Sequence, residues 1–354
     1  MARLHFLDGL RGIALILMVV NHTARDWMDI KRASTLDLVY GSLLLPAAIF
    51  LFLVGFCLPI SYHRHGGSRG VLADGWTYFR RGIVIVGAGY LLNVILGFPG
   101  QSMKHSGVLH TIGLSIILLG PLVPVLRRRW APWVLPAIAV LIYLSYAWMH
   151  PLLVRWSAAH PTLAIMAFGD FPPWPWLTAP IIGLVLGWLW LEARSRGTEN
   201  EVKYFSIAAL IGLLCLAAYA AWAWWMPTAA PFGFSRDFTL NRYWTPRGAT
   251  TLLIVGGIAV LLAGCYWLME RRHWELPWLV TLGQTALMLY FTHQIIEEVI
   301  ARRTFGLRFN HWLAYWAATA ALIVLCVYLG RLWLTMKQVV RARWGASPQA
   351  PHVG

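Results

Sequence analysis

The sequence predicts an all-α fold, a polytopic integral membrane bundle of about ten transmembrane helices with both termini cytoplasmic, and three observations carry that prediction. The first is composition. Of 354 residues, 59% are hydrophobic and 12% charged, whereas soluble domains carry roughly a quarter charged residues. The second is length, because apolar runs near the roughly 20 residues that cross a hydrocarbon core recur between short polar breaks. The third is the alternation of basic charge, since cytoplasmic loops of membrane proteins are richer in Lys and Arg than exported ones.

The candidate spans cover approximately residues 11–27, 43–62, 83–98, 107–126, 130–150, 174–191, 204–226, 250–269, 278–300 and 312–336. Starting from the inside, this threading gathers most of the basic residues on one side. Arg3, Arg11, Arg64, Arg69, Arg80, Arg81, Arg127, Arg128 and Arg129 fall there, followed by Arg194, Arg196, Lys203, Arg271, Arg272, Arg331, Lys337, Arg341 and Arg343. The asymmetry accounts for the net charge of +15. No nucleic-acid motif or aromatic-interleaved basic stretch accompanies it, so nucleic acid is not an expected partner.

The arginine-led apolar start lacks a small-residue cleavage site and is read as a retained first helix. Cys57, Cys215, Cys265 and Cys326 all fall within spans without paired spacing, so neither disulfides nor a metal cluster is expected. The chain divides into one transmembrane domain, residues 1–336, and a basic cytoplasmic tail, residues 337–354, expected to be disordered. The longest breaks, 150–173 and 227–249, carry Trp156 and Trp244 with several prolines, as suits loops over a site or interfacial anchors.

Ionisable residues inside a bilayer are costly, and each is a candidate for function. On the first helix Arg11 and His22 are eleven residues apart, which returns to nearly one face about 16 Å further along. Asp8 lies within a turn of Arg11, and a structural pairing of those two is the plainer reading. On the ninth helix His293 lies about 22 Å beyond Trp278, with Glu297 four residues on. A carboxylate there can hold one imidazole nitrogen and leave the other as a base; the bland alternative is that both residues brace neighbouring helices. His110, Asp170 and Asn241 thread to a similar level, although His110 reads equally as a packing histidine and Asp170 as a cap. His63 and His65 sit beside arginines and are read as solvated.

The segment Leu7-Asp8-Gly9-Leu10-Arg11-Gly12-Ile13-Ala14 followed by His22 resembles the opening of the acyltransferase-3 and heparan-α-glucosaminide N-acetyltransferase families. Later segments favour the second. Residues 49–56, IFLFLVGF, 107–114, GVLHTIGL, 170–177, DFPPWPWL, and 282–294, LGQTALMLYFTHQ, are similar to its bacterial branch, in order. The resemblance implies a multi-helix acyltransferase that moves an acetyl or other acyl group from acyl-coenzyme A on the cytosolic side to a carbohydrate or other polar acceptor on the far side. It implies a multi-pass protein of the bacterial cytoplasmic membrane, with the lipid bilayer, acyl-coenzyme A and a glycan as partners and room for a homodimer.

On that resemblance His22, His293 and Glu297 are the expected catalytic residues, with His22 as general base in a direct transfer or, alternatively, a histidine as nucleophile. Arg11, Arg80 and Arg81 would meet the acyl-coenzyme A, with Arg127 to Arg129 near its phosphates. His110, Asp170, Asn241 and Trp244 would face the acceptor, Asp8 would be structural, and no metal is expected. One departure bears on mechanism: the animal lysosomal enzyme has asparagine where His22 aligns and its proposed catalytic histidine after the first helix, where this chain reads Asp29-Ile30-Lys31-Arg32-Ala33-Ser34. The alternative from another class is a proton-coupled transporter of a small polar metabolite, in which the same histidines and Glu297 relay protons.

Overall fold

The computed structural model describes residues 3–28, 44–64, 71–97, 106–160, 171–225 and 249–343. Those residues are helical almost throughout, and eight of the described helices are long and apolar enough to cross a membrane. The chain is a multi-pass helical membrane protein. The elements are α1 (His5–Trp27), α2 (Leu44–Arg64), α3 (Val71–Ile95), α4 (Val108–Leu119), α5 (Ala131–Ala159), α6 (Pro173–Trp176), α7 (Thr178–Ser195), α8 (Thr198–Trp225), α9 (Ala249–Cys265), α10 (Pro277–Gln284), α11 (Ala286–Gln294) and α12 (Trp312–Arg343).

Each expected span meets these elements, with four instructive differences. The third begins earlier, at Val71, so Arg80 and Arg81 lie within α3 rather than in a loop. The fourth leaves α-geometry at Gly120 and continues as a 3-10 helix through Arg127, because Pro121 and Pro124 cannot donate to the α-helical ladder. The ninth is not continuous. It stops at Gln284, resumes at Ala286 and passes into a π-helix over Ile295–Thr304. At the break, Thr285 leaves helical geometry (φ −111°, ψ 12°) and its hydroxyl donates to the Thr281 carbonyl at 2.7 Å, a local competitor for the backbone ladder. α12 runs past the expected end of its span to Arg343.

α1 is the axis of the bundle. It packs on α2, α9, α10, α11 and α12, and 67% of its most apolar stretch is buried against 17% for α8. Lipid tails are as apolar as leucine, so helices in a bilayer associate through close packing rather than exclusion of water. At one end of α1 that packing is aromatic: Phe6 lies 5.7 Å from Trp190, 5.5 Å from Phe205 and 5.9 Å from Tyr266, ring centre to ring centre. Against α10 it is backbone on backbone. A Cβ on Gly12 would overlap the Leu279 carbonyl, and one on Gly283 would overlap the Asp8 carbonyl.

Away from the axis the surface turns to lipid. On α5, Trp133 and Trp148 are 81% and 79% exposed, large apolar rings on a face open to lipid.

The packing at α1 yields a stability prediction. Gly283→Ala should cost about 1–3 kcal/mol, whereas Gly75→Ala, with nothing near its added methyl, should be neutral or gain up to about 1 kcal/mol of helix propensity. Thermal unfolding of the detergent-solubilised protein measures both, with a fall for the first alone.

Candidate active site

Two segments distant in sequence meet at the Trp27 end of α1. There the Trp27 carbonyl accepts the Phe309 amide at 2.7 Å, and the Trp27 indole donates to the Glu297 backbone carbonyl at 3.3 Å. On the other side of α1, Tyr315 of α12 donates to the Val20 carbonyl at 2.8 Å. These ties fix α1 in register against the π-helix that follows α11. As a result His22 Nδ1 comes 3.1 Å from His293 Nε2, the two rings lie nearly parallel at 5.2 Å, and Glu297 Oε2 lies 3.9 Å from His22 Nδ1.

The hydrogen bonds dictate tautomers. His293 Nδ1 lies 2.7 Å from the Leu289 carbonyl, which only accepts, so this nitrogen carries the hydrogen. His293 Nε2 in the neutral ring is then a lone pair aimed at His22, and the bond between the rings is completed when His22 Nδ1 donates. That leaves His22 Nε2 unprotonated. His293 is fully buried and the His22 side chain is 20% exposed, so His22 is the ring that a reactant can reach.

The expectation that Glu297 holds the second nitrogen of His293 is corrected. The carbonyl one turn back in the same helix holds it, because that acceptor lies within reach of the histidine's own side chain. Glu297 is 1% exposed, and neither of its oxygens makes a hydrogen bond of normal geometry among the described residues. It faces the Asp26 carboxyl, with which it can share a proton. Asp26 is itself paired with Arg25 at 2.8 Å and with Arg302 at 3.1 Å, and Arg302 continues to Glu298 at 2.9 Å. Arg25, Asp26 and Arg302 were not singled out in the sequence, although Asp26 stands four residues after His22 and so shares its face.

A cavity of about 420 Å³ opens at the other end of α1, between α1, α2, α3, α4 and the α10–α11 break. Arg3, Arg11 and Arg81 line it. Asp8 organises the first two, accepting from Arg3 at 2.8 Å and from Arg11 at 2.8 Å; the second guanidinium nitrogen of Arg11 lies 2.9 Å from Cys57 Sγ. Asp8 therefore has the pairing role read from the sequence, with a second arginine added. Tyr290 also lines the cavity, and its ring stands edge-on to His293 at 6.0 Å. The cavity thus extends from three arginines as far as Tyr290, and neither His22 nor His293 is among its lining residues. Arg80 is exposed and is not among its lining residues. Cys57, Gln284 and Tyr290 were not legible as lining residues, since apolar spans give no sign of which faces leave a gap.

At the start of α4, His110 Nδ1 accepts the Gly107 amide at 3.0 Å, and the ring stands edge-on to Tyr90 at 4.3 Å. Asp170, Asn241 and Trp244 lie outside the described residues. The residue after Asp170 docks beside His110: the Phe171 amide donates to the Ser106 carbonyl at 3.1 Å, and the Thr111 hydroxyl donates to the Phe171 carbonyl.

The fold and site define a polytopic membrane protein with paired imidazoles towards one end of its central helix and an arginine-lined cavity towards the other. The family model described as heparan-alpha-glucosaminide N-acetyltransferase, catalytic, matches residues 3–223. This is more than half of the chain, which belongs to that family, and its activity in general terms is that of an acetyltransferase. The match contains His22 and the arginines of the cavity, while His293 and Glu297 lie beyond it. No curated protein matches the chain.

The charge network beside the histidines gives a second prediction. Removing a buried partner of an ion pair leaves the other charges uncompensated, so Asp26→Ala should cost about 2–4 kcal/mol. Arg303→Ala removes a half-exposed pair to Glu298 and should cost about 1 kcal/mol or less. The relative size of the two unfolding-temperature shifts tests the assignment.

Proposed function

We propose that this protein transfers an acetyl group from acetyl-coenzyme A, bound from the cytosolic side, to an amine or hydroxyl of a sugar presented at the opposite face of a bacterial cytoplasmic membrane. The observation that carries the reading is the arginine-lined cavity along α1, which reaches Tyr290, the neighbour of His293 in the histidine pair. Arg3, Arg11 and Arg81 are suited to the phosphates of the donor, since guanidinium forks match phosphate oxygens. The donor's thioester arm then runs along α1 past Cys57 and Tyr290 towards His293. The positive-inside arrangement of the chain supports entry of the donor at the Arg3 end.

In this reading His22 Nε2 removes a proton from the acceptor nitrogen or oxygen as it attacks the thioester carbonyl. The new bond to the acetyl carbon forms, the carbon–sulfur bond breaks, and the leaving thiolate takes the proton from His22. His293 does not touch the acceptor. It accepts the hydrogen bond from His22 Nδ1 and so keeps Nε2 of His22 basic, while the Leu289 carbonyl keeps His293 in the tautomer that accepts.

The decisive assay supplies labelled acetyl-coenzyme A to the purified protein in nanodiscs with amino-sugar acceptors. His22→Ala should lower transfer by about 10²–10⁴-fold, the range of a lost general base, with its unfolding temperature retained. Normal transfer by that variant removes His22 from the mechanism.

The donor path has its own test. Cys57 lines the cavity, whereas Cys265 and Cys326 are buried. In a protein with Cys57 as its sole cysteine, desulfo-coenzyme A, which has no thiol to consume the reagent, should slow alkylation by N-ethylmaleimide. An unchanged rate at saturating desulfo-coenzyme A contradicts the placement of the arm.

A further inference from the structure

From the geometry we infer that His22, His293 and Glu297 form a binding site for a divalent transition-metal ion of the zinc type. One donor atom from each, His22 Nδ1, His293 Nε2 and a Glu297 oxygen, lies within 4.8 Å of the other two. Ligands at the usual zinc bond length of about 2.0–2.1 Å in a tetrahedron stand about 3.3 Å apart. The 3.1 Å between the imidazole nitrogens and the 3.9 Å from His22 to Glu297 bracket that separation.

The group that orients one of the imidazoles is also in place. A ligating histidine usually donates its other ring hydrogen to a carbonyl or carboxylate, which fixes the tautomer and aims the lone pair. His293 does this through the Leu289 carbonyl at 2.7 Å.

An independent observation comes from Glu297. Its side chain is 1% exposed, aimed at the two imidazoles, and without a hydrogen bond of normal geometry among the described residues. The Asp26 carboxyl that it faces is already compensated by Arg25 and Arg302. A carboxylate in this setting lacks the hydrogen bonds that make buried charge tolerable. A divalent cation bound by Glu297 and the two imidazoles supplies the compensation, and Arg25 is the charge that opposes it. Two imidazoles and one carboxylate suit zinc, with a fourth position left open for water or a reactant. The 20% exposure of the His22 side chain gives the ion its way in.

The metal and the proposed base compete for one hydrogen. In metal-free protein His22 Nδ1 donates to His293 Nε2; with the ion bound, both nitrogens present lone pairs and the metal stands where the shared hydrogen was. Zinc is thereby a reversible blocker of transfer through His22. The site itself does not depend on the acetyl-transfer reading.

The test uses full-length protein in nanodiscs, with any affinity tag removed, titrated with Co²⁺ as the spectroscopic probe and with Zn²⁺ as competitor. The expected result is one equivalent per chain, a tetrahedral cobalt spectrum displaced by zinc, and affinity reduced about 10–100-fold or more in His22→Ala and Glu297→Gln. His273→Ala and His311→Ala, both on exposed residues, should bind as the unaltered protein does. Glu297→Gln is the deciding variant because it keeps the side-chain shape. Zinc should raise the unfolding temperature of the unaltered protein by mass action and leave that of Glu297→Gln unmoved. Absence of stoichiometric binding, or equal binding by Glu297→Gln, overturns the inference. Acetyl transfer by a protein that binds no metal overturns this inference alone, and metal binding by a protein with no transfer activity leaves it standing.

Discussion

The site depends on the close packing of α1 against the broken helix α10–α11. Gly12 admits the Leu279 carbonyl and Gly283 admits the Asp8 backbone, so the two helices meet with no side chain between them. A histidine side chain is short, and two of them from different helices share a hydrogen bond only where the backbones are this near. The same contact sets the register of Asp8 and Arg11 beside the α10–α11 break, where the cavity opens. One packing constraint thus positions the histidine pair and the arginine-lined cavity together, although they lie towards opposite ends of α1.

A second theme is how the bundle tolerates ionised groups. Arg11 is not isolated: Asp8 neutralises it, and Arg3 shares the same carboxylate. At the far end Asp26 lies between Arg25 and Arg302, and Glu298 lies between Arg302 and Arg303. Charge in a low-dielectric setting persists where it is paired and hydrogen-bonded. Glu297 departs from that pattern, and it sits beside the two imidazoles. Structural charge is satisfied here by neighbours within the bundle; the unsatisfied group marks the place where something from outside, a proton or a cation, has a role.

Much of this was legible in the sequence and some was not, for physical reasons. The helical membrane class followed from apolar run length, since a bilayer imposes a narrow range on spanning segments. His22 and His293 stood out because polar residues in such runs are rare. Their direct contact was not legible, because it depends on the helix break at Thr285 and on the π-register after Gln294, and hydropathy reports neither. The role of Leu289 was hidden for a different reason: a backbone carbonyl has no residue type to betray it. His110 has the same rarity, and hydropathy likewise could not show its seat at a helix start, edge-on to Tyr90. Asp26 and Arg302 were not singled out, and only the fold joins them across 276 residues of sequence.

The most direct measurement is nitrogen NMR of the protein labelled with ¹⁵N-histidine in nanodiscs, free of metal, with the His293 resonances assigned by their loss in His293→Ala. The account requires a neutral His293 ring with hydrogen on Nδ1 and none on Nε2, held so by the Leu289 carbonyl, and a neutral His22 with hydrogen on Nδ1. A His293 ring protonated at Nε2 alone, or at both nitrogens, contradicts it, because Nε2 then has no lone pair to accept from His22 and nothing keeps His22 Nε2 available as a base.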